Sequence, residues 1–352
     1  MQVDASGTSA ARYFRELHAV RTASHTAALG INANLGGRTK LVASQVASYS
    51  PSYLYGLFPR EAQVGDVIPT APDYNVDVSN AQSYSYGTKL DLTRGLSRRT
   101  SLSASGELQY TDFRRSTATR RDVGFHRMGV RFSRGMGRHS SWHVGYDYRG
   151  GQFGFETVTR PTGGGQQTSE NAIRVGAEYT RPLSATRRLV VDASFASAAV
   201  ASSRVRSYRF LGETTANYQF SRVWQSGATL RRSFEYVPEF LTPVLSTSLS
   251  ARIEGRVWLR STLSASGGYS TGESALGLQE SVLVGDRFTF RTYTANARLQ
   301  HALNGTVAAY AENLYYFYDV SGRAASATAL ARGLERNGVR VGLTLQVPAF
   351  RR

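Results

Sequence analysis

Residues 100–111 read TSLSASGELQYT, and their side chains alternate between an apolar set and a polar set. Successive side chains of a β-strand point to opposite faces, so this period of two predicts a strand with one apolar and one polar face. The apolar face begins at Leu102 and ends in the aromatic Tyr110, while the polar face carries the charge of Glu107. Such a strand separates two different environments.

The strand belongs to a hairpin unit that recurs along the chain. A second alternating stretch, SYSYGTKLDL at 83–92, is joined to it by the basic segment RGLSRR at 94–99. Short turns, most of them basic, recur near positions 36, 96, 137, 183, 221, 259 and 303. Longer polar connections fall between them, among them 51–80, 150–170 and 271–286. The chain is therefore a divergent repeat of strand, short turn and strand.

Strand length and turn asymmetry together predict the fold class. Many alternating stretches reach about 10 residues, the length that a tilted strand needs to cross a bilayer. Short turns at one end and long loops at the other are typical of outer-membrane barrels, as is Tyr or Trp near the ends of an aliphatic face. We predict an all-β, up-and-down antiparallel transmembrane β-barrel of about 16 strands, with short periplasmic turns and long extracellular loops.

A soluble all-β protein, either a propeller or tandem sandwiches, is the main alternative. Strands in such folds average about five or six residues and bury one face against another sheet. Charged side chains in the middle of the polar faces fit both folds. The longer stretches and the asymmetry between short turns and long loops favour the membrane barrel.

The first residues leave two interpretations open. Residues 1–20 form either a first strand or a short helix, and residues 21–352 form the barrel. An even strand count with a periplasmic N-terminus requires a strand within 3–14. Residues 1–29 lack a basic start followed by an apolar segment and a cleavage site, so we expect a mature or trimmed chain.

Composition excludes several classes of protein. The 352 residues have a mean hydropathy of −0.32, and no segment approaches the roughly 20 apolar residues of a spanning helix. Cysteine is absent, which excludes disulfides, thiolate metal sites and cysteine nucleophiles. The net charge of +17 is spread over many turns without a recognition helix or zinc-finger spacing, so we expect no nucleic-acid partner.

With these alternating strands and the clean final one at 339–347, the chain resembles a bacterial outer-membrane β-barrel of porin or transporter type. Its basic, Ser- and Tyr-rich hairpins are also similar to uncharacterised barrels of polysaccharide-export loci. Family members often end in an aromatic residue that the insertion machinery reads, whereas here Arg351 and Arg352 follow Phe350. The resemblance implies a bacterial outer-membrane location, and as partners outer-membrane lipid, lipopolysaccharide, the barrel-insertion machinery and periplasmic export proteins.

The polar faces supply a set of predicted pore-lining residues. Its members are Lys89, Asp91, Glu107, Arg127, Arg131, Asp147, Arg149, Arg174, Glu178, Asp192, Arg209, Glu213, Arg231, Glu235, Arg252, Glu254, Arg256, Arg298 and Arg340. Because basic residues outnumber acidic ones in this set, a water-filled pore would favour anionic solutes. Opposite charges on neighbouring strands would instead pair and brace the wall. Arg232 falls on the apparent lipid face, which suggests a bulge or a shift of register there.

No catalytic constellation accompanies these charges. The six histidines show no metal-binding spacing, and no nucleophile elbow, phosphate loop or dinucleotide fingerprint is present. We therefore predict no enzyme activity, no cofactor and no metal. The predicted function is a pore or transporter that passes or exports a polar, anionic solute or a polysaccharide. A structural or partner-dependent plugged barrel is the alternative, and an outer-membrane hydrolase is a more distant one.

Overall fold

In the computed structural model, the described residues form sixteen β-strands. The structure describes residues 2–14, 20–50, 83–113, 122–153, 166–202, 206–235, 243–274, 288–322 and 333–351. The strands are β1 Gln2–Phe14, β2 Val20–Asn34, β3 Thr39–Ser50, β4 Ser83–Gly95, β5 Thr100–Phe113, β6 Val123–Gly135, β7 Ser140–Phe153, β8 Gln166–Pro182, β9 Arg188–Ser202, β10 Arg206–Gln219, β11 Trp224–Glu235, β12 Val244–Trp258, β13 Ser261–Ser274, β14 Phe288–Ala302, β15 Val307–Gly322 and β16 Gly333–Arg351. No helix long and apolar enough to cross a membrane occurs in the described part of the chain.

Each strand pairs antiparallel with its neighbours in sequence, and β1 pairs with β16 to close the barrel. The closing pair brings Gln2 opposite Arg351 and Gly7 opposite Leu345, with one shift of register between them. The predicted fold class is confirmed. Of the two interpretations of the N-terminal segment, the structure has the strand, Gln2–Phe14; the proposed boundary at residues 20 and 21 stays a prediction.

The seven short turns all lie at one end of the barrel, together with the start of β1 and the end of β16. Five of them share a local geometry, in which the first turn residue donates its amide hydrogen to the carbonyl oxygen of the first residue of the next strand. Leu35 donates to Thr39 at 2.8 Å and Leu96 donates to Thr100 at 2.9 Å. In the first turn Gly36 takes a φ of 84°, which side chains disfavour.

The other end carries the long connections, which lie outside the described residues apart from short flanks. The predicted connections at 150–170 and 271–286 are shorter than expected. Strand β7 continues to Phe153 and β8 begins at Gln166, while β13 continues to Ser274. These ends are strands because their backbones continue the ladders with their neighbours.

Alternation along the strands gives the barrel an apolar outer face. Large side chains exposed on this face include Leu90, Leu108, Met128, Val130, Ile173, Phe210, Leu249 and Val341. Tyrosine pairs add an aromatic layer, since Tyr269 and Tyr293 lie 4.9 Å apart between ring centroids. An exposed band of this kind is expected where lipid replaces water.

Candidate functional site: the charged lumen

Contacts between strands that are not neighbours identify the inner face. Arg131 on β6 forms a 3.1 Å ion pair with Asp192 on β9, although β7 and β8 lie between them. Arg149 on β7 donates to the backbone carbonyl oxygen of Phe234 on β11. Side chains that diverge on the convex outside of a barrel cannot meet in this way, so the charged faces point into the lumen.

An ion-pair network covers the inner face of β6 to β10. Asp147 is its centre, because one carboxylate oxygen accepts from Arg127 at 3.0 Å and the other from Arg174 at 3.1 Å. Arg174 also lies 3.6 Å from Glu213 on β10. Arg174 on β8 thus contacts acidic residues on two other strands, β7 and β10. The carboxylate of Glu178 accepts from the Thr180 hydroxyl.

Next to this network lies a second cluster around Arg131. Its guanidinium contacts His143 Nδ1 at 2.7 Å and the Asp192 carboxylate at 3.1 Å. His143 is almost fully buried although it was not among the predicted lining residues. No group of acidic and histidine residues in the described chain is arranged to hold a metal ion. The cluster therefore joins β6, β7 and β9.

Between these groups only a narrow space remains. A cavity of about 20 Å³ is lined by Asp147, Arg149, Glu170 and Glu213 among others. A space of this size holds about one water molecule. The inner faces of β7 to β11 therefore lie nearly against one another at this level.

A third group sits on β11 and β12. Arg252 donates to the Glu254 carboxylate through Nη2 at 2.7 Å and through Nε at 3.1 Å. The other carboxylate oxygen of Glu254 accepts from the Gln225 amide at 2.6 Å. Further along β11, Arg231 lies 3.9 Å from Glu235. Within each of these pairs the acidic side chain neutralises the charge of the arginine.

On β14 and β15 the lumen is lined by a mixed aromatic and charged group. The guanidinium of Arg298 lies 4.1 Å from the ring centroid of Tyr310 and donates to the Thr344 hydroxyl at 3.0 Å. Glu312 accepts from the Asn296 amide. Such contacts hold Arg298 against the wall rather than across the lumen.

Accessibility of the inner face changes from one end of the barrel to the other. From the middle of β4 toward its short turn, Lys89 and Asp91 form a pair whose side chains are 54% and 36% exposed. Along β9 the exposure falls from 31% at the Asp192 side chain to 4% at Ser194 and 0% at Val200. We call the exposed inner residues near the turns the vestibule, represented by Lys89, Asp91 and Arg256.

In the opposite half, which we call the closed half, inward side chains of β9, β10, β12, β14 and β15 are buried. Buried members of this closed half are Ala196, Ala198, Val200, Leu211, Val244, Phe290, Tyr318 and Val320. Phe290 lies opposite Val320 in the ladder, and Tyr318 is fully buried. The lumen is thus a cup that opens toward the short turns.

The structure brings some of the predicted lining residues together and leaves others apart. The network and the Arg131 cluster bring together Arg127, Arg131, Asp147, Arg174, Asp192 and Glu213, with Arg149 beside them. Arg231, Glu235, Arg252 and Glu254 form local pairs, and Lys89 with Asp91 lines the vestibule. Glu107 lies between Lys89 and Arg127 in the ladders, and Arg209 bonds its own neighbour's backbone. Arg340 lies opposite Glu312 on the backbone, and its side chain is outside the described residues.

Arg232 requires a correction. No bulge interrupts the β11–β12 ladder, whose register is continuous through this residue, while the β10–β11 ladder ends at Arg232. Arg232 stays on the outer face and donates to the Thr247 hydroxyl at 3.3 Å. It lies near the long-loop end of β11, where a long basic side chain can extend to the membrane surface.

Two inner acids were missed by the sequence pattern. Glu170 lies opposite Arg149 near the start of β8, in a stretch whose sequence predicts a connection between strands. Glu312 lies opposite Arg298 on β15, where aromatic residues occupy both faces and hide the alternation. Continuing the period of two through these stretches would have found both residues.

The closed, up-and-down sheet with its one-sided short turns defines the architecture of bacterial outer-membrane barrels. No protein-family model and no curated protein sequence matches the chain. An apoprotein form of the FrpB iron transporter from Neisseria meningitidis aligns with 91% of this chain and 57% of its own, at 10% identity and a TM-score of 0.48. The ferric citrate transporter FecA aligns with 91% and 55%, at 12% identity and a TM-score of 0.45.

The alcaligin outer-membrane receptor FauA from Bordetella pertussis aligns with 96% of this chain and 65% of its own, at 12% identity and a TM-score of 0.40. The chain therefore spans between about half and two thirds of the length of these proteins. Similarity at this level carries no argument about activity, ligand or partner.

Proposed function

We propose that the chain is a gated transport barrel of the bacterial outer membrane that admits polar, preferentially anionic solutes from the periplasmic side. The observation that carries this proposal is the cup-shaped lumen, with a charged vestibule at the short-turn end and a closed half toward the long loops. In outer-membrane barrels the short turns face the periplasm. A solute in the periplasm would therefore meet the vestibule first.

Charge in the vestibule supports the preference for anions. Arg256 is exposed there, and no ion pair to it occurs within the described ranges. Lys89 is paired with Asp91, and Arg252 is neutralised by Glu254. The surplus of positive charge thus rests on few residues, and a fixed surplus of this sign enriches anions in a narrow aqueous space.

Closure of the lumen on the loop side favours gated passage over free diffusion. Phe290 and Tyr318 are large inward side chains that are buried in the closed half. Passage of a solute would require these side chains to move. Access from the periplasm fits the export of a polysaccharide or another polar polymer. We propose this export as the specific function of the barrel, with periplasmic export proteins as partners.

Conductance across a planar bilayer tests the proposal. The full chain should show rare, small openings, whereas the double variant Phe290→Ala, Tyr318→Ala should conduct more often and at larger amplitude. Heat-modifiable gel migration confirms that each variant is a folded barrel before it is measured. If neither folded protein conducted, the result would overturn transport and favour a structural or partner-dependent barrel. A large, steady conductance of the unaltered chain would overturn the gate.

Bracing of the wall is the second role that the geometry favours. The contacts of Asp147 with Arg127 and Arg174 join three adjacent strands, and Arg131 reaches across to β9. Such pairs stabilise the barrel whether or not a solute passes. The two roles coexist because most of the ion pairs lie in the middle of the barrel, while Arg256 in the vestibule has no ion pair within the described ranges.

A further inference from the structure

A groove of about 740 Å³ lies on the outer face of the barrel between two adjacent short turns, the turn at 96–99 and the turn at 136–139. Its lining includes Arg98, Arg99, Arg134, Met136 and Trp142. None of these residues belongs to the charged lumen. The groove therefore needs an explanation separate from transport.

Strand alternation places the groove on the outer side. Arg134 lies directly opposite Trp142 in the β6–β7 ladder. The exposed side chains of Met128 and Val130 show that even-numbered residues of β6 point outward, and Tyr146 shows the same for β7. Arg134 and Trp142 are even-numbered and therefore point outward as well. Met136, at 70% exposure, extends the same face into the turn. Basic and apolar groups thus meet at the rim where the outer face ends.

The groove is strongly basic and has no internal neutralisation. Among the residues that the structure describes, no acidic side chain forms an ion pair with Arg98, Arg99 or Arg134. Three guanidinium groups next to one groove repel one another unless an anion lies between them. A planar guanidinium binds phosphate oxygens through two parallel hydrogen bonds, which makes phosphate the fitting anion.

The backbone holds the two turns together. The amide of Gly135 donates to the carbonyl oxygen of Arg99 at 2.7 Å, and the Arg99 amide donates to the Ser97 hydroxyl at 3.2 Å. These bonds fix the spacing between the turn that carries Arg98 and the strand that carries Arg134. The groove is therefore formed before a ligand arrives, which lowers the entropy cost of binding.

Apolar surface adjoins the basic end of the groove. Trp142 packs against Phe132 with 5.7 Å between ring centroids, and both lie on the outer face. Leu102, Val130 and Val144 continue that face toward the middle of the barrel, all exposed. A ligand that fits has an anionic phosphate at one end and an aliphatic chain at the other.

We propose that this groove binds the phosphodiester headgroup of an anionic glycerophospholipid, such as phosphatidylglycerol, in the periplasmic leaflet. The guanidinium groups hold the phosphate, the indole of Trp142 lies at the interface, and the acyl chains run along Leu102 and Val144. Basic pockets at a membrane surface attract anionic headgroups in this way. The proposal rests on the proposed outer-membrane placement, and it does not depend on solute passage.

Fluorescence quenching by brominated lipids tests it. Of the three tryptophans, Trp224 and Trp258 are replaced by Phe so that Trp142 is the single reporter. The protein is reconstituted in phosphatidylcholine bilayers that contain either brominated phosphatidylglycerol or brominated phosphatidylcholine at the same mole fraction. We expect quenching by the anionic lipid to correspond to a local enrichment of about fivefold or more. Equal quenching by the two lipids would overturn the proposal.

Two matched triple variants separate the groove from general surface charge. Arg98→Gln, Arg99→Gln, Arg134→Gln should abolish the enrichment. Arg187→Gln, Arg222→Gln, Arg260→Gln removes the same charge from three other short turns and should leave it intact. An equal loss in both variants would show a diffuse attraction and overturn the site.

Inorganic phosphate separates a lipid headgroup from a free anion. Millimolar phosphate at constant ionic strength should leave the quenching difference in place, because acyl contacts add to lipid binding. Complete competition would assign the groove to a small phosphate anion and overturn the lipid proposal. The assay measures lipid quenching and no solute flux. Its result therefore tests lipid binding even if the barrel does not conduct.

Discussion

Arg149 on β7 donates its Nη1 hydrogen to the backbone carbonyl oxygen of Phe234 on β11, three strands further round the barrel than its ladder partner on β8. The Arg149 guanidinium also lies 5.0 Å from the centre of the Phe125 ring. A contact between strands this far apart requires the inner faces of β7 and β11 to lie close together across the lumen. This contact therefore marks the level at which the lumen narrows.

Replacement of Arg149 by Met should destabilise the barrel by about 2–3 kcal/mol. The change removes a charged donor from the Phe234 carbonyl and leaves the buried Glu170 without its cross-strand cation. Arg209→Met is the matched control, because Arg209 also points inward but donates to the carbonyl of its own neighbour, Tyr208. That variant should stay within about 0.5 kcal/mol of the parent.

Denaturant unfolding of the reconstituted protein, followed by tryptophan fluorescence, measures both variants. Equal midpoints for the Arg149 and Arg209 variants would contradict the view that the β7–β11 contact holds the closed half together.

Thiol labelling should reveal the cup shape of the lumen. The natural chain has no cysteine, so single substitutions report without background. Thr262→Cys lies in the exposed vestibule, whereas Ser194→Cys lies in the part of the lumen where the native side chain is 4% exposed. We expect a membrane-impermeant methanethiosulfonate reagent to modify the first on the order of tenfold faster or more, because modification follows access to the thiolate.

Ile173→Cys provides the reference for the lipid-facing side, since Ile173 is exposed on the outer face. In a bilayer it should label slowly, and in small detergent micelles it should label faster. Similar rates for the two inner cysteines would mean that water fills the lumen from end to end, and the closed half would then be wrong.

Much of the barrel follows from local pattern alone. A period of two places Arg174 and Glu213 inward because each strand has one apolar face, and the structure pairs these residues at 3.6 Å. The same rule places Arg232 outward, and the ladder of β11 with β12 stays regular there. A polar residue on the lipid side is compatible with a regular ladder when it lies near the strand end.

The closed half was not predictable from alternation. Alternation predicts whether a side chain points inward or outward. It does not predict the distance from that side chain to the opposite wall of the barrel. The contact of Arg131 with Asp192 depends on the curvature across four strands, and the contact of Arg149 with Phe234 depends on the cross-section of the whole barrel. Such distances follow from the stagger and tilt of all strands together, which no single stretch encodes.

Preference for anions in the vestibule should rest on Arg256. Thr262 lies directly opposite Arg256 in the β12–β13 ladder, so Thr262→Cys reports the local charge. In that background an anionic methanethiosulfonate reagent should react faster than a cationic one, relative to their rates with a free thiol. Arg256→Ser should lower this ratio, and salt near 1 M should remove it because the Debye length is then about 3 Å.

A charge-neutral double variant is the control for this prediction. Arg252→Ser, Glu254→Ser removes a half-buried ion pair from the same strand without a change of net charge. The reagent ratio should stay constant while the thermal midpoint falls slightly, as expected of a bracing pair. A falling ratio in the double variant, with none in Arg256→Ser, would reverse the assignment of the two roles.

Crowding around Gly176 gives the last prediction. Gly176 and Gly87 both lie on inner faces in the middle of their strands. A methyl group at Gly176 would meet the His143 ring and would lie 2.5 Å from the Ala193 carbonyl oxygen, whereas nothing lies within 4 Å of one at Gly87. Gly176→Ala should therefore destabilise the barrel by about 1–3 kcal/mol, and Gly87→Ala should be neutral or slightly stabilising.

A third variant shows whether the His143 ring or the Ala193 backbone contributes more to the crowding at Gly176. His143→Ala removes the ring and leaves the Ala193 backbone in place, so in the Gly176→Ala background it should restore only part of the lost stability. Midpoints of heat-modifiable gel migration compare all four proteins under one condition. If Gly176→Ala and Gly87→Ala melted together, the tight packing of β7, β8 and β9 around His143 would be refuted, because a close-packed inner wall cannot accept a methyl group without a shift of the backbone.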